Sequence, residues 1–131
     1  MKNFLIAFLL LFTVAACLPN RDKDDPEPEL AGTYNLTSFR VNNQEFITAN
    51  TGVTGTIVVT RPSDTRISLT LSLRGNGQTQ TDNLGEIEIR KASGRNYDMY
   101  ESGTRLGSIN GTDLNFDISD GSDRIVVAAR K

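Results

Sequence analysis

Few residues in this chain are of a type that does covalent or acid–base chemistry. The 131 residues include no histidine and no tryptophan, and Cys17 is the only cysteine. Serines and threonines are plentiful, but without an imidazole partner the usual nucleophilic triad is excluded. The remaining candidates are carboxylates. Glu86 and Glu88 alternate with Ile87 and Ile89, so the two acids share one face of an extended segment. Paired carboxylates can act on a glycosidic bond when they flank it. Arg90 on the same face favours the plainer reading, a solvated outer surface. Asp117, Ser119, Asp120 and Asp123 surround Gly121, and hard cations take several oxygens around such a turn. Their spacing does not fit an EF-hand loop, so a polar hairpin turn is expected there. No catalytic residue, metal or cofactor is expected, and the chain does not read as an enzyme.

The lone cysteine has a different setting. Lys2 precedes the apolar run Phe4 to Phe12, and Val14, Ala15, Ala16 and Cys17 follow. A short positive start, an apolar core and small residues before a cleavage point predict a signal peptide over residues 1–16. The apolar stretch is too short to span a bilayer, which takes about 20 residues. A single cysteine can form no internal disulfide. The Val-Ala-Ala-Cys ending resembles a bacterial lipobox. That resemblance implies cleavage before Cys17, diacylglycerol on its thiol and an acylated new N-terminus. More than one acyl chain gives stable anchoring, so the expected membrane partner is reached through lipid. Residues 18–29 hold three of the four prolines, five acids and two bases, too little apolar surface to fold, and residues 17–29 are therefore expected to be a lipidated tether. Lys23-Asp24-Asp25 resembles the acidic export signal of surface lipoproteins in the Bacteroidota. The resemblance implies an outer-membrane protein displayed at the cell surface, with the periplasmic face as the alternative.

Past the tether, residues 30–131 carry eleven bases and eleven acids. Nothing in that balance favours nucleic acid as a partner. The elements that must position any site read as strands. Asn76-Gly77, Ser93-Gly94, Ser102-Gly103, Asn110-Gly111 and Asp120-Gly121 punctuate segments of alternating polarity, and Asn-Gly suits the hairpin turn in which both central residues have positive φ. Ile67, Leu69, Leu71 and Leu73 fall on one face, as do Leu114, Phe116 and Ile118. Such period-two patterning marks half-buried antiparallel strands. Eight are expected, over 33–41, 53–61, 65–74, 79–91, 95–101, 104–109, 112–119 and 123–130. The first shifts phase between Leu36 and Phe39, as a bulge would make it. The first half of the fourth is wholly polar and is expected to form an edge. Residues 42–52 read as the longest loop, with Phe46 and Ile47 inside it as a plug or lid. Eight meandering strands favour a closed up-and-down barrel over residues 30–131, because closure leaves no free edge at the apolar last strand. A two-sheet sandwich is the alternative.

The opening Leu30-Ala31-Gly32-Thr33-Tyr34-Asn35-Leu36 resembles the Gly-x-Trp start of lipocalins and related calycin barrels, with Tyr34 in the tryptophan position. Tyr97 to Leu114, with Gly107-Ser108-Ile109-Asn110-Gly111-Thr112, also resembles the short lipocalin-like lipoproteins of the Bacteroidota. The resemblance implies a barrel that holds a small apolar ligand, and an arginine late in the barrel, here Arg130, covering Tyr34. The lipocalin C-terminal helix and disulfide have no counterpart. Alternation turns Tyr34, Phe39, Tyr97, Met99 and Phe116 inward, where they either line a pocket or fill the core. An eight-stranded barrel is just wide enough for either. Gly55, Gly85 and Gly107 fall within strands, where they leave space or let the sheet coil. Two functions follow: a lipid-anchored carrier of a small apolar ligand, or a packed-core module that meets a protein partner in the envelope.

Overall fold

The structure is a computed structural model that describes residues 26–48 and 50–131. The signal segment, Cys17 and the tether as far as residue 25 lie outside the described residues.

The alternating segments form nine strands: β1 (Gly32–Val41), β2 (Gln44–Glu45), β3 (Thr54–Ser63), β4 (Arg66–Gly75), β5 (Gln78–Lys91), β6 (Tyr97–Glu101), β7 (Thr104–Ile109), β8 (Asp113–Asp120) and β9 (Asp123–Arg130). From β3 to β9 each strand pairs antiparallel with the next. β1 joins β3 on one side and β9 on the other. The sheet therefore closes as an eight-stranded antiparallel barrel, consistent with a lipocalin-like architecture, with β2 as an added flap on β1. Closure excludes the sandwich. It also pairs the apolar strand β9 on both sides, with β8 and β1.

The ninth strand corrects the reading of residues 42–52 as a plain loop. Asn42 and Asn43 have φ of 50° and 70°, so the chain turns back after two residues and Gln44–Glu45 pairs with Arg40 and Val41. Asparagine tolerates this left-handed region because its short amide can bond locally. Asn76 and Gly77, at 51° and 74°, make the expected turn of the same kind. β3 runs to Ser63, beyond its expected end, with irregular pairing between Thr60 and Ser63 around Pro62, which has no N–H to give the ladder. β6 starts at Tyr97 rather than 95.

The phase shift in β1 is a bulge. Leu36 pairs with Ala129 and Ser38 with Ala128, leaving Thr37 extra, so that Leu36 and Phe39 both point inward. Two of the in-strand glycines also sit at register shifts: Gly85, with φ of 85°, and Gly107. The polar half of β5 is an edge, as expected. Residues 78–83 pair with β4, whereas β6 pairs only with Glu88–Lys91.

The hairpins define two ends. The β3–β4, β5–β6 and β7–β8 turns lie at one, with residues 26–31 and Lys131. The β1–β2, β4–β5, β6–β7 and β8–β9 turns lie at the other, with Phe46 and Ile47. The first is the closed end and the second the open end.

Candidate functional site

All five inward candidates are buried: Tyr34 0%, Phe39 8%, Tyr97 5%, Met99 0% and Phe116 3% exposed. The register stacks them in rows. Leu36, Ala129, Leu114, Ile109 and Tyr97 form one row of directly paired residues. Phe39, Val127, Phe116, Gly107 and Met99 form the next. Gly107 is the narrow point between Phe116 and Met99. A Cβ there would lie 1.9 Å from the Asn115 carbonyl oxygen and 2.7 Å from Phe116 Cα.

These side chains fill the lower barrel rather than line a cavity. Leu30, Tyr34, Ile57, Ile67, Leu69, Met99 and Leu114 are all 0% exposed. A side chain with no surface open to a water-sized sphere borders no void that could hold water. Gly55 leaves no gap either: its missing Cβ would meet Leu36 Cδ1 at 2.4 Å and Leu73 Cδ2 at 2.8 Å. The five candidates thus do not converge on one pocket. Tyr34 and Tyr97 belong to the closed end, Met99 and Phe116 to the packed middle, and Phe39 alone to the open end.

The closed end is sealed by the segment before β1 and the residue after β9. Leu30 and Pro28 are buried there. The Tyr34 hydroxyl donates to the Leu30 carbonyl at 2.8 Å, and burial pushes its pKa up to about 12. The cation over the Tyr34 ring is Lys131, not Arg130. Lys131 Nζ stands 5.5 Å from the ring centroid and donates to the carbonyls of Glu29 and Ala31 at 2.9 and 2.6 Å. The reason is strand alternation: Val127 and Ala129 point in, so Arg130 points out, where it pairs with Asp113 at 3.2 Å. Only the residue beyond the strand can fold over the end. Gly32 makes room for it. Its φ is +136°, and a Cβ would sit 2.5 Å from Lys131 Cε. That gives the Gly-x-Tyr opening a physical cause.

The open end is finished differently. Val41, Ile47, Leu73, Leu84, Ile118 and Ile125 pack on the core yet remain partly exposed. Five of the six lie toward this end of their strands or in the adjoining loop, and Leu84 lies midway along β5. Phe46, 37% exposed, meets Phe39 edge-on with ring centroids 6.2 Å apart. Glu45 fixes this corner. Its carboxylate accepts from the Ser38 hydroxyl, from the amides of Phe39 and Ile47 at 2.8 and 3.1 Å, and from Arg40 Nε at 3.1 Å. The Ser38 hydrogen bond leads the effects that hold its pKa down at about 2. One acid thus ties the bulged part of β1 to the two apolar residues of the flap.

The wall is low on one side of this mouth. Gln80 and Asp82 pair opposite Leu73 and Leu71, which puts them on the inner face, yet both are exposed. Gln80 Nε2 donates to Asp82 at 3.1 Å. β7 pairs with β8 only over Gly107–Ile109, so residues 104–106 and 117–120 splay apart. The gap is a cleft of about 650 Å³ with Leu106 and Ile118 at its base and Arg105 and Arg124 at its rim.

The other carboxylate candidates are engaged elsewhere. Glu88 pairs with Arg90 at 2.7 Å and Glu86 with Arg66 at 3.6 Å on the outer wall, and Arg90 lies 4.3 Å from the centre of the Tyr100 ring. Asp117 accepts from Nε and Nη2 of Arg124, and Asp123 accepts from Asn42 Nδ2 at 2.8 Å. Asp120 and Asp123 pair across a hairpin whose central residues are Gly121 and Ser122. Among the described residues no group of three acids, cysteines or histidines stands close enough to hold a metal ion. Sequence reasoning missed Glu45 and Lys131. The signal for Glu45 was available, since Asn42-Asn43 forecasts a tight turn that would bring an acid back against β1. A scan against family models, a search of the curated proteins and a search of the solved structures each found no match.

Proposed function

We propose that this protein is a lipid-anchored lipoprotein of the outer membrane, displayed at the cell surface, whose barrel binds a small apolar molecule at its open mouth. One observation carries the binding reading: among the described residues, all the partly exposed apolar residues that pack on the core except Leu84, midway along β5, lie at one end of the barrel. An apolar surface rimmed by polar groups is where a ligand or partner gains most by excluding water. The ligand site is shallow, since the interior below Phe39 and Leu71 is occupied by side chains. Phe46, Ile47, Leu73 and Ile118 hold the apolar part, with Gln80 and Asp82 beside its polar end. The anchor reading rests on the Val-Ala-Ala-Cys motif, with Cys17 as the lipidated residue, and the docking of residues 26–31 at the closed end turns the mouth away from the tether. The chemistry assigned is binding, not catalysis.

Titration of the full chain with a fluorescent fatty acid tests this. Saturable binding that Ile118→Asp or Phe46→Ala abolishes, with the fold intact, supports it. Binding that ignores both substitutions, or no saturable binding, overturns it. The filled interior favours a second reading, in which the same mouth docks an envelope protein. Site-specific crosslinking from position 46 in the native cells then captures one defined partner.

A further inference from the structure

At the closed end the described chain begins with a carboxylate held by two donors. Arg61, on β3, donates from Nη2 to Glu27 Oε1 at 3.0 Å, and the Tyr97 hydroxyl donates to the same oxygen at 2.6 Å. The same Nη2 reaches the Asp64 carbonyl at 3.2 Å, and the guanidinium carbon lies 5.6 Å from the Tyr97 ring centroid. The donors stand on the barrel wall and are well covered: the Arg61 side chain is 18% exposed and Tyr97 5%. The acceptor is not. The Glu27 side chain is 57% exposed and belongs to the segment that leads into the barrel. Arg61 Nε is buried and has no hydrogen-bond partner among the described residues.

A guanidinium binds a carboxylate best through two parallel hydrogen bonds. Glu27 engages only one nitrogen and leaves a buried donor unused, which is costly for a charged group. The donor set is therefore larger than its present occupant satisfies. We infer that Arg61 and Tyr97 form a carboxylate-binding site that the chain's own Glu27 fills as an internal competitor. The ligand is a free carboxylate, from a fatty-acid head group or an acidic peptide terminus, which bridges two guanidinium nitrogens and keeps the Tyr97 hydroxyl bond. Glu27 is more than half exposed and engages the guanidinium through one nitrogen only, so it is displaceable. The inference stands apart from the mouth: it uses the opposite end of the barrel and does not need an anchored chain.

The experiment is an NMR titration of the full chain with sodium acetate, octanoate and an acetylated glutamate peptide, against sodium chloride at equal ionic strength. The readouts are the Arg61 Nε–H signal and the Tyr97 ring. Saturable shifts with carboxylates and none with chloride are expected. Glu27→Gln removes the competitor and is expected to tighten acetate binding about fivefold. Tyr97→Phe keeps the ring, removes the hydroxyl and is expected to weaken it. Octanoate tighter than acetate identifies a fatty acid, and the peptide tighter than both identifies an acidic terminus. Equal shifts with chloride, or affinity unchanged in both Glu27→Gln and Tyr97→Phe, overturn the inference. Shifts confined to Phe46 and Ile118 would support the mouth and overturn this site.

Discussion

The two ends of the barrel are made from the same strands and differ in what finishes them. At the closed end the segment 26–31 that leads into β1 meets Lys131, which follows β9, so Leu30 and Lys131 are available to cover Tyr34. At the open end the cover among the described residues is a short flap held by one acid, Glu45. The difference teaches where a small barrel can bind. Core contacts are complete where the segments flanking β1 and β9 plug the sheet, and apolar surface is left over where only hairpins meet.

Truncation in the sealed interior and at the open mouth should break or confirm that contrast most clearly. Leu114→Ala or Met99→Ala removes a side chain with no room for collapse around it and is expected to cost about 2–5 kcal/mol. Ile118→Ala, at the mouth, is expected to cost about 1 kcal/mol or less, because its site is already partly wet. Urea denaturation of each variant gives the values, and equal losses in the interior and at the mouth would remove the distinction between a sealed core and an open end. Next in size is Glu45→Gln. It leaves the Phe39 and Ile47 amides with a neutral acceptor and is expected to lower stability by about 1–2 kcal/mol. Faster amide exchange should be confined to residues 38–47.

A pH series sharpens the role of the same acid. The Ser38 hydroxyl, two backbone amides and Arg40 hold the Glu45 pKa at about 2 in the fold, below the ordinary glutamate value of 4.5. A carboxylate depressed by folding stabilises fully above its unfolded value. That contribution is lost as pH falls from about 4.5 through about 2. Acid titration of stability should therefore lose a step in this window in Glu45→Gln, and an unchanged profile would refute the hub. The smallest effect belongs to the outer wall. Glu88→Gln breaks an exposed pair with Arg90 and should leave the denaturation midpoint where it was.

Much of this was legible in the sequence. The bulge in β1 announced itself as a change of phase between Leu36 and Phe39. Asn76-Gly77 gave its turn type, and the polar run at 78–83 gave an edge. These are local properties, since side-chain direction in a strand follows from its own pleat and a turn from its own φ angles. Lys131 over Tyr34 was not legible, because it depends on where the last strand stops relative to the first. Nor was the role of Glu27, which meets residues 34 and 70 positions away.

Sequence by itself determined the strands, their inward faces, the antiparallel meander and the near-neutral charge, all of which rest on short-range periodicity and composition. Only the tertiary structure decided that the barrel closes through β1 and β9, that its interior is filled, and which end remains open. Those outcomes depend on register and strand stagger around a closed ring, where each side chain's room is set by residues distant in the chain.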